Sequence, residues 1–376
     1  MTLRVCAPDI FSGDAVGNHC IGFVRMAERL GMAAELYATG FDQGTHGVRP
    51  LETLFDEVRR DDVVLLSYSI FDPFLERLLA LDCKKICYFH GVTDPQLLRA
   101  LEPRTAQLCD KALAQLPLLA GFDALVANSR GTAQSLAGIV DVDAIAIVPP
   151  VFPDMYVFSR ALPRKRRKRQ EPNLLMVGRV VPHKRVEDGI EILALLTQRD
   201  FNATLSIVGS TPNYDYLKFL INHARRLGVL ERVDFKGMLD DADLFGCYES
   251  ANGLLAMSRH EGFCVPVLEA MHYGKPVFVR GGTAAQEICP RDCVFDANAE
   301  LAAWIPVVMQ RLGQSADRGP IDQAYVRHAD GVLQRASDDV WRTVFAGVGV
   351  ASGSSRARAS AAAGSGSGSA SAEKRR

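Results

Sequence analysis

Two long stretches of this 376-residue chain each alternate short apolar runs with helical periodicity, and six consecutive cations, Arg164 to Arg169, divide them. Apolar runs separated by helical patterns build parallel sheets covered on both faces. In the first stretch Leu3–Ala7, Asp62–Tyr68, Ile86–Phe89, Ala124–Ala127 and Ala144–Val148 read as strands, with a helix from His19 to Gly31. In the second, the predicted strands are Leu174–Val177, Ala203–Val208, Val233–Phe235, Gly253–Met257 and Pro276–Val279. Predicted helices span Arg185–Leu196, Tyr216–Leu227 and Pro266–Tyr273. The expected class is α/β, with two doubly wound domains. Such a pair leaves a cleft at the carboxyl ends of its sheets, where α/β proteins take ligands.

A core cannot hold six adjacent like charges, so the run reads as a solvated hinge. Contact with an anionic membrane face is the alternative, because clustered Lys and Arg attract acidic lipids. The expected organisation is a first domain over 1–160, a basic linker over 161–172 and a second domain over 173–320. A long terminal helical region follows over 321–350. The tail, 351–376, is Ala/Ser/Gly-rich and cannot bury enough apolar area to offset ordering.

The net charge of −1 gives no global pull toward nucleic acid, and the basic run lacks groove-reading support. Nine cysteines are spread along the chain, and neither Cys83/Cys87 nor Cys289/Cys293 has a second pair at zinc-ribbon spacing. Reduced thiols and a cytoplasmic location are expected. No segment approaches the roughly 20 apolar residues of a membrane span, so any membrane contact would be peripheral.

Chemistry concentrates in the second stretch. Val177-Gly178-Arg179-Val-Val-Pro-His-Lys184 runs from a strand end through a glycine turn to a helix start. Helix starts favour anions. Arg179 can hold oxygens bidentately and Lys184 adds a point charge. The pair reads as a diphosphate clamp or as two solvated surface charges. Ser258-Arg-His-Glu261-Gly262-Phe263-Cys264-Val-Pro266-Val-Leu-Glu269 follows a strand, so Glu261 falls in a strand-to-helix loop. Pro266 suits a first helical turn. Glu261 can accept hydrogen bonds from sugar hydroxyls. Glu269 can accept them from a ribose diol, or simply compensate a helix dipole.

These two segments resemble the retaining glycosyltransferases of family 4, whose GT-B fold faces two Rossmann-like domains. The signature is Gly178-Arg179 with Lys184, then Glu261 and Glu269. Ile207-Val208-Gly209, Val233-x-Phe235-x-Gly237, Ala270-Met271 with Gly274-x-Pro276-Val277, and Glu287 agree. So do Asp123 to Ser129 and Val148-Pro-Pro-Val151. The resemblance runs over about residues 1–348. It implies that Arg179 and Lys184 stabilise a leaving diphosphate and that Glu261 binds the donor sugar beside the backbone of Gly262, Phe263 and Cys264. Glu269 would hold the ribose, and Val233 to Gly237, with Lys236, would line the base, near Gly178 and Gly209. The family form has glycine where Cys264 stands.

In the first stretch, Gly13-Asp-Ala-Val-Gly17-Asn lets backbone approach phosphate or sugar. It does not spell G-x-G-x-x-G, so the nicotinamide fingerprint is absent. His90 closes a strand toward the cleft and resembles a histidine that the family sets beside the reacting sugar; a structural histidine is the other reading. Asp141-Val-Asp143 and Asp241-Ala-Asp243 read as turn or cap residues that follow no strand into the cleft. No metal or cofactor is expected. The implied partners are a nucleotide-diphosphate sugar and a carbohydrate or lipid-linked acceptor. A GT-B nucleotide-sugar epimerase and a non-catalytic nucleotide-sugar-binding subunit are the rival readings.

Overall fold

The computed structural model describes residues 1–11, 13–42, 47–151, 171–317 and 322–350. The Arg164–Arg169 run and the tail from 351 lie outside the described residues, as does all of the expected linker except Glu171 and Pro172.

Two wholly parallel sheets carry the fold. The first contains β1 (Thr2–Ile10), β2 (Ala33–Phe41), β3 (Arg49–Pro50), β4 (Val63–Tyr68), β5 (Lys84–Phe89), β6 (Ala124–Ala127) and β7 (Ala146–Ile147). Its order is β3-β2-β1-β4-β5-β6-β7. The second contains β8 (Asn173–Val177), β9 (Thr204–Val208), β10 (Val233–Gly237), β11 (Gly253–Ala256), β12 (Val277–Arg280) and β13 (Val294–Phe295), in the order β10-β9-β8-β11-β12-β13. In each sheet the chain runs outward from a central strand, then returns to build the other side. That reversal lies between β1 and β4 in the first sheet and between β8 and β11 in the second. At such a switch point the connections leave in opposite directions and open a crevice at the carboxyl ends.

Helices cover both faces of each sheet. In the first unit these are α1 (Ala15–Arg29), α2 (Leu51–Glu57), α3 (Leu75–Leu79), α4 (Pro103–Gln115) and α5 (Arg130–Gln134). In the second they are α6 (Val186–Thr197), α7 (Tyr214–Arg226), α8 (Asp241–Ser250), α9 (Val265–His272) and α10 (Ile305–Asp317). The strands are apolar throughout because both faces are buried: β4 has no exposed residue. Asp14 starts α1 by accepting from the N–H groups of Val16 and Gly17. Gly17 cannot carry a side chain, because a Cβ would meet the Phe11 carbonyl oxygen at 2.1 Å.

The terminal helical region holds two helices, α11 (Gln323–Gln334) and α12 (Asp338–Gly347), separated at Arg335–Ser337. They serve different sheets. Ala329 and Val332 of α11 pack with α9 in the second core. Trp341 and Phe345 of α12 are fully buried in the first core with Phe23, Met26 and Leu3. Arg29 and Asp338 pair across that contact at 2.8 Å. Burying two such aromatic side chains stabilises the docking by roughly 1.5–3 kcal/mol each. The chain thus returns to its first unit, and the two units are tied by packing as well as by the segment between β7 and β8.

Candidate active site

The second sheet's switch point assembles the chemistry. β8 ends at Val177 and releases Gly178 and Arg179; β11, its neighbour, ends at Ala256 and releases Ser258 to Glu261. A pocket there is lined by Gly178, Arg179, Lys184, Ser258, Glu261 and Cys264. Lys184 Nζ donates to Glu261 Oε1 at 2.7 Å, and Ser258 Oγ donates to the same oxygen at 2.6 Å. Burial opposes the charge on Lys184, but Glu261 outweighs it and the ammonium pKa is raised. Burial likewise works against the Glu261 carboxylate, and Lys184 with Ser258 overcomes it, so that pKa is lowered. Both groups are therefore ionised, and Lys184 is a part-buried partner of Glu261.

The flanking backbone is shaped for close approach. Gly178 has φ 139° and lies under the Lys184 side chain. Gly209 has φ 145°, and a Cβ there would meet the Gly178 carbonyl oxygen at 2.0 Å. Arg185 takes φ 53° at the start of α6, where its guanidinium is held by Asp188. Asp188 also accepts from Arg280, which is nearly buried and donates to the carbonyls of Met257 and Ala297. One guanidinium thus braces both loops, the one carrying Lys184 and the one carrying Glu261.

The remaining expected residues are placed less uniformly. Arg179 is 52% exposed at the mouth and faces Glu102 of the first unit at 3.6 Å. Phe263 and Cys264 are buried in the second core. Glu269 is the fifth residue of α9, deeper than a first-turn position, and its carboxyl accepts from the Tyr248 hydroxyl. Burial raises its pKa to about 7 against that hydrogen bond. Val233 packs on a separate core of the second unit, the one that holds Leu205 and Val229, and Lys236 pairs with Asp234 on the same strand at 2.5 Å; Gly237 has φ 67° and accepts from the Gly209 N–H. Glu269, Val233 and Lys236 do not line the Lys184–Glu261 pocket. Gly13, at φ 80°, and Gly17 sit at the start of α1 and do not line it either.

His90 sits at the end of β5 with its Nε2 2.6 Å from Ser67 Oγ. Burial drives its pKa down to about 3, so the imidazole is neutral. Its carbonyl oxygen lies against Gly262: a Cβ on Gly262 would meet it at 2.1 Å and Asn128 Nδ2 at 3.0 Å. Thr132 Oγ1 donates to the Gly262 carbonyl at 3.3 Å. The histidine turn of one unit therefore abuts the glutamate loop of the other.

Asp141 caps a 3-10 turn as expected, accepting from the Asp143 N–H. The second D-x-D differs from expectation. It follows the carboxyl end of β10, and Asp240 is the cap, with Asp241 and Asp243 in the first turn of α8. Among the described residues no group of three His, Cys, Asp or Glu side chains could hold a metal. No helix among them is long and apolar enough to cross a membrane. Nine cysteines are free thiols.

Residues 159–292 match the family model of the glycosyl transferases group 1. That segment is similar to a group 1 glycosyltransferase domain. It carries Gly178, Arg179, Lys184, Glu261 and Glu269. A glycogen synthase of Mycobacterium tuberculosis is 32% identical over 183 residues, 48% of this chain and 42% of its own. A D-inositol 3-phosphate glycosyltransferase of an Arthrobacter species is 29% identical over 231 residues, 58% of this chain and 54% of its own. The chain spans about half the length of these curated relatives, or less. Among solved structures, Anabaena HepE in complex with UDP and glucose aligns with TM-score 0.69 at 15% identity, covering 92% of this chain and 98% of that one. WaaG, a glycosyltransferase involved in lipopolysaccharide biosynthesis, aligns with TM-score 0.61 at 18% identity, covering 89% and 95%. The two sheets and their helices together adopt the GT-B fold.

Proposed function

We propose that this chain is a retaining glycosyltransferase that moves a sugar from a nucleotide-diphosphate sugar to a hydroxyl acceptor without a metal. The observation that carries the reading is the part-buried Lys184–Glu261 pair at the β8/β11 switch point, with Arg179 at its mouth. The ammonium and guanidinium receive the donor diphosphate, the guanidinium exchanging Glu102 for phosphate oxygens. Glu261 keeps one oxygen on Lys184 and offers the other to sugar hydroxyls. Glu269 and the Val233–Gly237 strand end hold the nucleoside.

The acceptor enters from the first unit, past His90. As the bond from C1 to the phosphate oxygen breaks, negative charge grows on the diphosphate, and fixed cations act most strongly on charge that develops there. The acceptor oxygen attacks C1 from the same face. Its proton passes to the departing phosphate oxygen, so no side chain need serve as a covalent nucleophile. Neutral His90, held by Ser67, orients the reacting sugar through hydrogen bonding. Closure of the units excludes water and protects the donor from hydrolysis.

The acceptor class we propose is a glycolipid or growing surface polysaccharide at the cytoplasmic membrane face, with the Arg164–Arg169 run as the membrane contact. The likeness to WaaG supports it. The test is a thermal-shift screen of the full chain against a panel of nucleotide sugars, since a tight donor raises stability. Transfer from the best donor to lipid-linked acceptors would follow. A chain that no nucleotide sugar stabilises, and that transfers none, would sink the reading.

A further inference from the structure

Glu287 belongs to a short 3-10 turn after β12, outside the pocket, and nothing in the chemistry above uses it. Its carboxylate crosses to the first unit. Oε2 accepts from the Arg130 N–H and Oε1 from the Gly131 N–H, both at 2.8 Å. These are the first two amides of α5, which a helix leaves without internal partners. A carboxylate taking two of them makes paired, charge-assisted bonds.

Both ends of this contact lead to the reacting groups. On the donor side, the Ala284 N–H at the head of the same turn donates to the Glu261 carbonyl at 3.3 Å. On the other side, Thr132 of α5 bonds the Gly262 carbonyl, and its side chain lies 3.4 Å from where a Cβ on Gly91 would stand. Gly91 follows His90. The Glu287 contact is therefore one rigid step from the glutamate loop and one from the histidine turn.

We infer that Glu287 is a positioning residue that latches the two units and sets His90 in register against Glu261. The inference rests on the activity proposed above only for its catalytic readout; the latch itself is a property of the ligand-free chain. It assigns closure to two backbone amides, which no ordinary side-chain substitution in the first unit would remove. Proline is the exception. Arg130 is the first residue of α5, where proline is tolerated, and Ser129 before it is extended at φ −154° and ψ 164°, as a residue preceding proline must be. Arg130→Pro deletes the N–H that Glu287 accepts from and preserves the helix.

The experiment is small-angle scattering of the ligand-free full chain as parent, Glu287→Gln, Arg130→Pro and the double variant, with circular dichroism to confirm folding. The Glu287→Gln side chain would set an NH₂ against one amide, so either single change should raise the radius of gyration. The double variant should open no further, because the two changes break one contact. With the donor found by the screen, kcat for transfer should fall about tenfold in each single variant, the scale of one or two lost hydrogen bonds. Donor KM should hold, because the pocket's own contacts lie within the second unit. Unchanged scattering in Glu287→Gln overturns the latch even if Arg130→Pro fails to fold, and so does additive opening in the double variant. Opening without transfer from any donor would support the latch while removing the proposed activity.

Discussion

Cys264 stands in a left-handed backbone, φ 77° and ψ 69°, immediately before α9. Such a conformation costs an L-residue about 1–2 kcal/mol. Replacing Cys264 by glycine removes that strain but adds about 0.5–1 kcal/mol of chain entropy. Replacing it by alanine keeps the strain and retains one buried carbon more than glycine, worth about 0.8 kcal/mol. At an unstrained site alanine would therefore lead glycine by about 1.5 kcal/mol, from those entropy and burial contributions. Here the relieved strain cancels that lead, and the two variants should unfold at nearly the same urea concentration. Cys264→Val should be worse than either by about 1–2 kcal/mol, because a β-branched residue fits that region poorly. Urea titrations with a common m-value measure all three. An alanine variant ahead of glycine by about 1.5 kcal/mol or more, the full unstrained lead, would show that position 264 carries no backbone strain. The thiol plays no part in the arithmetic: burial raises its pKa, so it stays protonated.

Lys184→Met should fold and lose on the order of 10²–10³ in kcat, the scale of a lost oxyanion donor; near-parental transfer would refute the clamp. Gly262→Ala brings a Cβ within 2.1 Å of the His90 carbonyl oxygen, so the units cannot close, and scattering should show an open chain with transfer lost. The Glu269 pKa is raised by burial to about 7 from 4.5, so the folded state holds a proton that the unfolded state has released between those values. Its contribution is fully present below about pH 4.5 and is lost as pH rises through 7. Unfolding free energy compared between parent and Glu269→Gln should show the parent falling relative to the variant across that window; parallel curves would contradict it. If Glu269 binds ribose as a carboxylate, nucleotide affinity in the parent should strengthen from about pH 6 to 8, measured by calorimetry, and the Glu269→Gln variant should show no slope.

The second unit is readable from sequence because its strands are short, apolar and bounded by turn residues, and Arg179, Lys184 and Glu261 follow two of those strands closely. Arg179, Lys184 and Glu261 fall together because β8 and β11 are neighbours, a consequence of the sheet's switch point rather than of spacing. In the first unit β2 escapes the apolar pattern. Ala33-Ala-Glu-Leu-Tyr-Ala-Thr-Gly-Phe41 mixes small and polar residues, so it shows no period, yet it pairs with β1 along nearly its whole length. Burial in the sheet, not local pattern, selects that strand. Ser258 offers a signal, being a hydroxyl three residues before Glu261 in the same loop. Glu102 offers none, because nothing near it announces a cation 77 residues later in the other unit.

The same limit explains Glu287. Its partner amides lie 157 and 156 residues away and carry no side-chain identity. A sequence displays the residue that reaches out but cannot display the backbone that receives it. Contacts within one unit follow from strand order, which apolar patterning reveals. Contacts between units depend on how two finished surfaces meet, and there the sequence supplies only candidates. The site is divided along that line. The Arg179, Lys184 and Glu261 charges belong to one unit and are legible in its sequence. The register of His90 against Glu261 belongs to the interface, and it depends on Gly262 having no side chain and on Glu287 finding two free amides.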